Sequence, residues 1–332
     1  MRNSLLAGGQ AAITAGIALP LVHLSSRPEL IGFAALGAMV ALFGRFAPPG
    51  ERNRIVLLCS FCQILAVLGM SAAVAAGASF PLQMLLLALA CGGYLFVTTI
   101  TGIGAPGPLI FIFAAGASMS RAPLTFENGV ARACATAAVA ALALLICALL
   151  ERQRHPLPRN PFPDPSFIRI GEHVGAACRT SVAAGAAIIV CHQTGATHPA
   201  WGAMGALAVM QGAHLHVRLH RALQRMAGTL IGALLAWALL SQQPSTWFLI
   251  GLIMLLQIAT EVTIGVNYVF GQIFVTPMAL LMTELAATNG AGPHIIAERI
   301  IDTLLGASIG LVAAILLSTV EDRRHLAGLR NA

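Results

Sequence analysis

From Gln10 to Val320 the chain returns repeatedly to apolar runs close to the length that crosses a bilayer, separated by short polar turns. In lipid every backbone N–H and C=O must be satisfied within the protein, so runs of this kind fold as helices. The alternating polarity of membrane barrel strands is absent. A hydrophobic fraction of 58% against 9% charged residues lies outside the soluble globular range. The expected fold class is an all-α polytopic membrane protein, with the lipid bilayer as its first partner.

The net charge of +7 is carried by arginine alone, since the chain has no lysine. These arginines sit at the ends of apolar runs, not in a dense exposed stripe, which argues against nucleic acid as a partner. The seven cysteines are scattered through apolar sequence, where cysteine acts as a small hydrophobe. Cys59 and Cys62 form a CxxC with no second pair, so neither a disulfide framework nor a metal is expected, and no cofactor.

One segment divides the chain. Residues 151–172 carry Pro156, Pro158, Pro161, Pro163 and Pro165, which cannot continue a helix and favour an extended connection. The expected organisation is a first six-helix membrane repeat over 1–150, a proline-rich cytoplasmic linker over 151–172, a second repeat over 173–320, and a short cytoplasmic tail over 321–332. A shift of 171 positions aligns Pro28 with Pro199, Arg54 with Arg225, Pro106 with Pro277, Glu127 with Glu298, Glu151 with Asp322 and Arg152 with Arg323. A constant offset over marked positions indicates duplication.

The apolar runs predict about 12 membrane helices. In the first half they are Leu6–Leu24, Leu30–Gly44, Ile55–Ala73, Ser79–Cys91, Tyr94–Ala115 and Gly129–Leu150. In the second they are Val174–Val190, Pro199–Gln211, Ala222–Leu240, Thr246–Thr260, Val266–Thr283 and Ala297–Val320. Several are shorter than the ~20 residues of a straight span, which leaves room for tilted, re-entrant or broken helices. With both termini cytoplasmic, fifteen arginines fall inside and four (Arg27, Arg121, Arg132, Arg299) outside. The positive-inside rule therefore favours this orientation. Six helices per half then make the repeats parallel, related by a pseudo-twofold axis along the membrane normal.

The stretch from His198 to Gly232 is the most distinctive. His198-Pro199-Ala200-Trp201 opens an apolar run to Gln211. A basic turn then carries His214, His216, Arg218, His220, Arg221 and Arg225, and apolar sequence resumes at Gly228. This signature, with the later Arg299-Ile-Ile-Asp302-Thr-Leu-Leu-Gly306, resembles the hairpin and last helix of the fusaric acid resistance (FUSC) family of bacterial inner-membrane proteins. The resemblance covers the second half, and the first half follows mainly through the repeat. It implies a multi-pass inner-membrane exporter of aromatic or other organic acids, in a compact form without the large cytoplasmic domain many members carry. It also suggests distant kinship to plant malate channels.

Two readings stand for most marked residues. Arg54 and Arg225 are either topology anchors or an anion-attracting ring, with Arg221 and Gln211 beside Arg225 on the same path. His216 and His220 have a spacing that can hold a metal on a helix, but no acidic or cysteine partner is near; a solvated loop is expected. Trp201, with His198, reads as an aromatic-belt residue or a stacking platform for an aromatic substrate. Glu298 suits a helix start, whereas Asp302, a turn deeper, is an acid inside a membrane segment; both are candidates for proton coupling, Asp302 alternatively for an ion pair with Arg299. Pro106 and Pro277 are expected inside the fifth helix of each half, as packing kinks or as breaks lining a substrate path. The GxxxG pairs Gly228/Gly232 and Gly306/Gly310 read as helix contacts.

The chain thus reads as a transporter exporting small organic anions, with a passive anion channel or a non-transporting membrane assembly subunit as alternatives. Self-association into a homo-oligomer is compatible with all three. An enzyme is not expected, because the acids are few and dispersed.

Overall fold

The computed structural model describes residues 1–48, 50–155, 170–211, 215–286 and 294–318. All regular structure among them is helical. The helices are α1 (Arg2–His23), α2 (Ile31–Ala38), α3 (Arg52–Ala75), α4 (Phe80–Ile100), α5 (Leu109–Ser118), α6 (Phe126–Leu149), α7 (Ile170–Gln193), α8 (Ala200–Met210), α9 (Leu215–Leu240), α10 (Thr246–Ile264), α11 (Tyr268–Ala286) and α12 (His294–Leu316). Side-chain caps close two starts: the Thr125 hydroxyl accepts from Asn128 N–H at 3.2 Å before α6, and Ser245 accepts from Phe248 N–H before α10.

Nine of these helices are long and apolar enough to span a bilayer; the segments Pro28–Leu42, Leu109–Ser118 and Ala200–Met210 are not. The expected set of about 12 membrane helices, several of them too short for a straight span, thus meets nine helices of spanning length and three shorter apolar ones among the described residues. At 1.5 Å per residue, an α8 of 11 residues reaches only about half of a ~30 Å hydrocarbon core. Most of the proline-rich linker (156–169) and the whole tail (321–332) lie outside the described residues.

The expected division after Cys91 is also corrected. Gly92-Gly93 looks like a helix break, but α4 runs through it to Ile100. A methyl group on Gly92 would lie 2.4 Å from the Ala177 carbonyl oxygen of α7, so this glycine is a contact surface. The real break comes at Thr101–Pro108, where Gly102, Gly104 and Gly107 adopt positive φ (64°, 74° and 73°) that other residues resist. Pro106 therefore sits in a turn between α4 and α5, not inside a helix. Pro277 does lie inside α11, where Gly232 of α9 packs on it.

The halves interlock through α1 against α10, α4 against α7, α5 against α8 and α2 against α11. Within each half, α6 packs on α2 and α3, and α12 packs on α8 and α9. One apolar core runs through both halves, from Ala11 and Leu19 of α1 to Leu280 of α11. The α8–α12 crossing is the tightest: a methyl group on Gly306 would stand 2.1 Å from the Gly202 carbonyl oxygen, and one on Gly310 2.8 Å from the Ala206 Cα. Large apolar side chains such as Leu5, Ile17, Leu57, Leu145 and Leu234 face outward, as a lipid-solvated surface requires.

Candidate anion-binding site

Trp201 opens α8 and is only 3% exposed. Its ring stacks on His198 with centroids 4.9 Å apart, and the guanidinium carbon of Arg299 stands 5.2 Å from its centre. A belt tryptophan projects into the interface, as Trp237 and Trp247 do here at 57% and 52% exposure. The belt reading of Trp201 is therefore corrected. With His198 and Arg299 already against it, the ring supports a cation.

Arg299, near the start of α12, is completely buried. Its Nε, Nη1 and Nη2 have no hydrogen-bond partner among the described residues. Asp302, three residues on, is buried too, and its Oδ2 likewise lacks a partner; the two side chains do not hydrogen-bond each other. Arg225 of α9 is 2% exposed and lies within electrostatic reach of Arg299. Its Nη1 donates to the Tyr268 hydroxyl at 3.4 Å, while its Nε is unpartnered. Arg221, one turn earlier, places its guanidinium 5.6 Å from the centre of the Tyr268 ring.

The seam between α9 and α11 adds hydroxyl and amide groups. Gly228 and Gly232 bring α9 onto Gln272 and Thr276 of α11. Thr229, Gln272 and Thr276, with Thr303 of α12, each carry a buried side-chain oxygen without a partner among the described residues. Among the described residues, two buried guanidiniums thus face one buried carboxylate inside an apolar bundle, the nearby Glu298 being engaged by Thr197 and His198. Burying a cation without compensation costs several kcal/mol, on the order of the penalty that normally keeps arginine at helix ends. A planar guanidinium fork matches a carboxylate, so the arrangement is chemically suited to take up an organic anion.

The other residues marked from sequence fall elsewhere. Glu298 accepts from the Thr197 hydroxyl at 2.6 Å and from His198 N–H, and its carboxylate is 3.3 Å from His198 Nδ1. Its side chain is thereby engaged at the α7–α8 corner. Glu127 pairs with Arg27 at 2.7 Å at the start of α6. Gln211 caps α8 with its Nε2 buried and without a partner among the described residues, next to Gly107 in the turn that carries Pro106. His214 and the His216 side chain lie outside the described residues, and no metal-holding cluster of His, Cys, Asp or Glu occurs among the described ones.

Arg54 is corrected as the counterpart of Arg225. It is exposed in the first turn of α3, whereas Arg52 turns inward, donating to Gln10 Oε1 at 2.5 Å and to the Ala41 carbonyl at 3.1 Å. Sequence reasoning also missed the buried ion pair of Arg45 with Glu261 of α10, at 6% and 3% exposure. Burial lowers the Arg45 guanidinium to about 10, which leaves it cationic at neutral pH. Glu261 was open to detection as an acid at the end of an apolar run. Its partner, 216 positions away, was not.

Residues 185–313, from α7 to α12, match the family model described as fusaric acid resistance protein-like. The chain is also similar to the uncharacterized membrane protein YvaC of Bacillus subtilis (strain 168), with 41% identity over 118 residues. That match takes in 35% of this chain and 18% of the relative, so the chain spans about a fifth of the length of the curated relative it matches. No solved structure matches.

Proposed function

Since this chain is a membrane protein of the fusaric acid resistance-like family, we propose that it carries small organic anions, aromatic acids among them, out of the cell. The observation that supports this most is Arg299, fully buried with all three guanidinium nitrogens unpartnered. A carboxylate bound there, shared with Arg225, offsets the cost of the buried charges. The apolar walls then suit the hydrocarbon part of an aromatic acid.

In this reading the two halves are parallel six-helix repeats, and the path lies where they meet. Packing partners support it, because α1 on α10 becomes α7 on α4 when the halves are exchanged, and α2 on α11 becomes α8 on α5. Arg27–Glu127 and His198–Glu298 correspond under the same exchange. Both termini face the cytoplasm of a bacterial inner membrane. Arg218, Arg221 and Arg225 then form a column on α9 that concentrates anions at the cytoplasmic mouth. Asp302, which lacks the partners that engage Glu298, is the better placed acid for proton coupling.

The test is export of labelled benzoate and related acids from cells producing wild-type or Arg225→Ala protein. The proposal expects efflux to fall several-fold more than protein level. Equal losses of both return Arg225 to a topology anchor. Flux that follows voltage alone, with no response to a proton gradient, makes the protein a passive anion channel.

A further inference from the structure

A second arginine site lies away from α9 and α12. The turns at 44–48 and 101–105, with Glu51, Arg54 and Ile55, line a cavity of about 400 Å³ that Arg45, Thr101 and Gly102 face. That is within the range of small-molecule sites, about 300–1,000 Å³. Gly44 (φ 68°) and Gly102 (φ 64°) make two of its walls turn backbone, and Arg54, Ile55 and Leu58 of α3 with Ile100 of α4 supply the rest.

Arg45 is its buried cation. Nη1 donates to Glu261 Oε2, the guanidinium carbon lies 4.9 Å from the centre of the Phe46 ring, and Nε is buried without a partner among the described residues. Arg54 is exposed at the rim beside Glu51, so with Glu261 on Arg45 two arginines meet two carboxylates, and only withdrawal of Glu261 leaves a positive excess. Glu261 of α10 holds Arg45 from behind the cavity lining and packs on Gly8 of α1, where a methyl group would stand 3.2 Å from the Glu261 Cβ. Gln257, one turn earlier on α10, is buried with both amide atoms unpartnered.

We infer that this cavity is a second organic-anion site, and that Glu261 is an internal competitor for its arginine. An incoming carboxylate replaces that of Glu261 at Arg45, and Gln257, one turn earlier on α10, offers its amide to the released side chain. No covalent bond changes. The inference rests on the reading that the chain handles organic anions, but binding here is measurable apart from transport. It makes the pair joining the first half to α10 a self-occupied site, and it gives the first half an anion-handling role of its own.

The test is equilibrium binding of labelled benzoate to the purified full chain carrying Arg299→Met, which removes the other site. Adding Glu261→Gln is expected to tighten binding about tenfold, the effect of removing ~1.4 kcal/mol of competition. Adding Arg45→Ala together with Glu261→Gln is expected to abolish it. Unchanged or weaker affinity in a monodisperse Glu261→Gln protein overturns the inference, as does binding that survives loss of Arg45. If Glu261→Gln does not fold, Glu261→Asp, which withdraws the carboxylate by one methylene, is expected to give a smaller tightening, and no change overturns the inference. Benzoate export that is intact with no effect of Glu261 sinks this inference alone. Tightening without export sinks the functional reading alone.

Discussion

The Arg299 guanidinium stands over the Trp201 ring at 5.2 Å, and both side chains are buried between α8 and α12. The contact offsets part of the cost of the charge, since a desolvated cation–π pair contributes about 2 kcal/mol. It leaves the in-plane N–H groups of Arg299 unpartnered. Those are the groups a carboxylate takes.

Arg299 should therefore cost stability in the unliganded protein. Arg299→Met, close in length and without charge, is expected to raise the thermal midpoint of the purified protein. Millimolar benzoate should raise the midpoint of the wild type by more than that of Arg299→Met, whose remaining response reports the site at Arg45, because a ligand that binds the folded state stabilises it. A lower midpoint for Arg299→Met assigns Arg299 a purely structural role.

Trp201 is predicted to act through Arg299. Trp201→Phe keeps a ring under the guanidinium and should retain most benzoate affinity. Trp201→Ala should weaken it by about tenfold, the loss of ~1–2 kcal/mol of cation–π support. Titration of both variants at matched protein quality checks this; equal affinities separate the ring from anion binding.

At the α8–α12 crossing, Gly306→Val places a side chain where even a methyl group would lie 2.1 Å from the Gly202 carbonyl. Overpacking of this kind costs about 1–3 kcal/mol or more. The expected result is a sharp fall in folded yield on gel filtration. Gly251→Val on α10, where nothing lies within 4 Å, should be tolerated.

The orientation is testable with reporters. Fusions after Met1 and after Ser318 should report cytoplasm, and an insertion at Gln242 between α9 and α10 the opposite side. Reversed signals reject the positive-inside assignment.

Much of this architecture was legible from hydropathy, because lipid demands apolar helices wherever the chain crosses. The division misplaced between α4 and α5 has one reason: glycine both breaks helices and lets them touch. Gly92-Gly93 does the second inside α4, whereas Gly102 and Gly104 do the first after it. Arg225 was legible as a marked residue, but the choice between Arg52 and Arg54 depends on where α3 begins, and periodicity does not set that to the residue. The burial of Trp201 and the pairing of Arg45 with Glu261 depend on helices meeting across the halves, and no local pattern carries them. The Arg27–Glu127 and His198–Glu298 pairs were within reach, since the 171-residue offset relates both members of each.

The central claim is that Arg299 binds the transported anion, and flux into liposomes tests it most directly. Wild type and Arg299→Met are reconstituted at equal density and assayed for labelled benzoate movement under an imposed voltage and, separately, an imposed proton gradient. The account predicts benzoate flux in the wild type and at least about a tenfold loss in Arg299→Met, in keeping with the loss of ~1.4 kcal/mol or more of anion stabilisation. Equal flux through both proteins would contradict it.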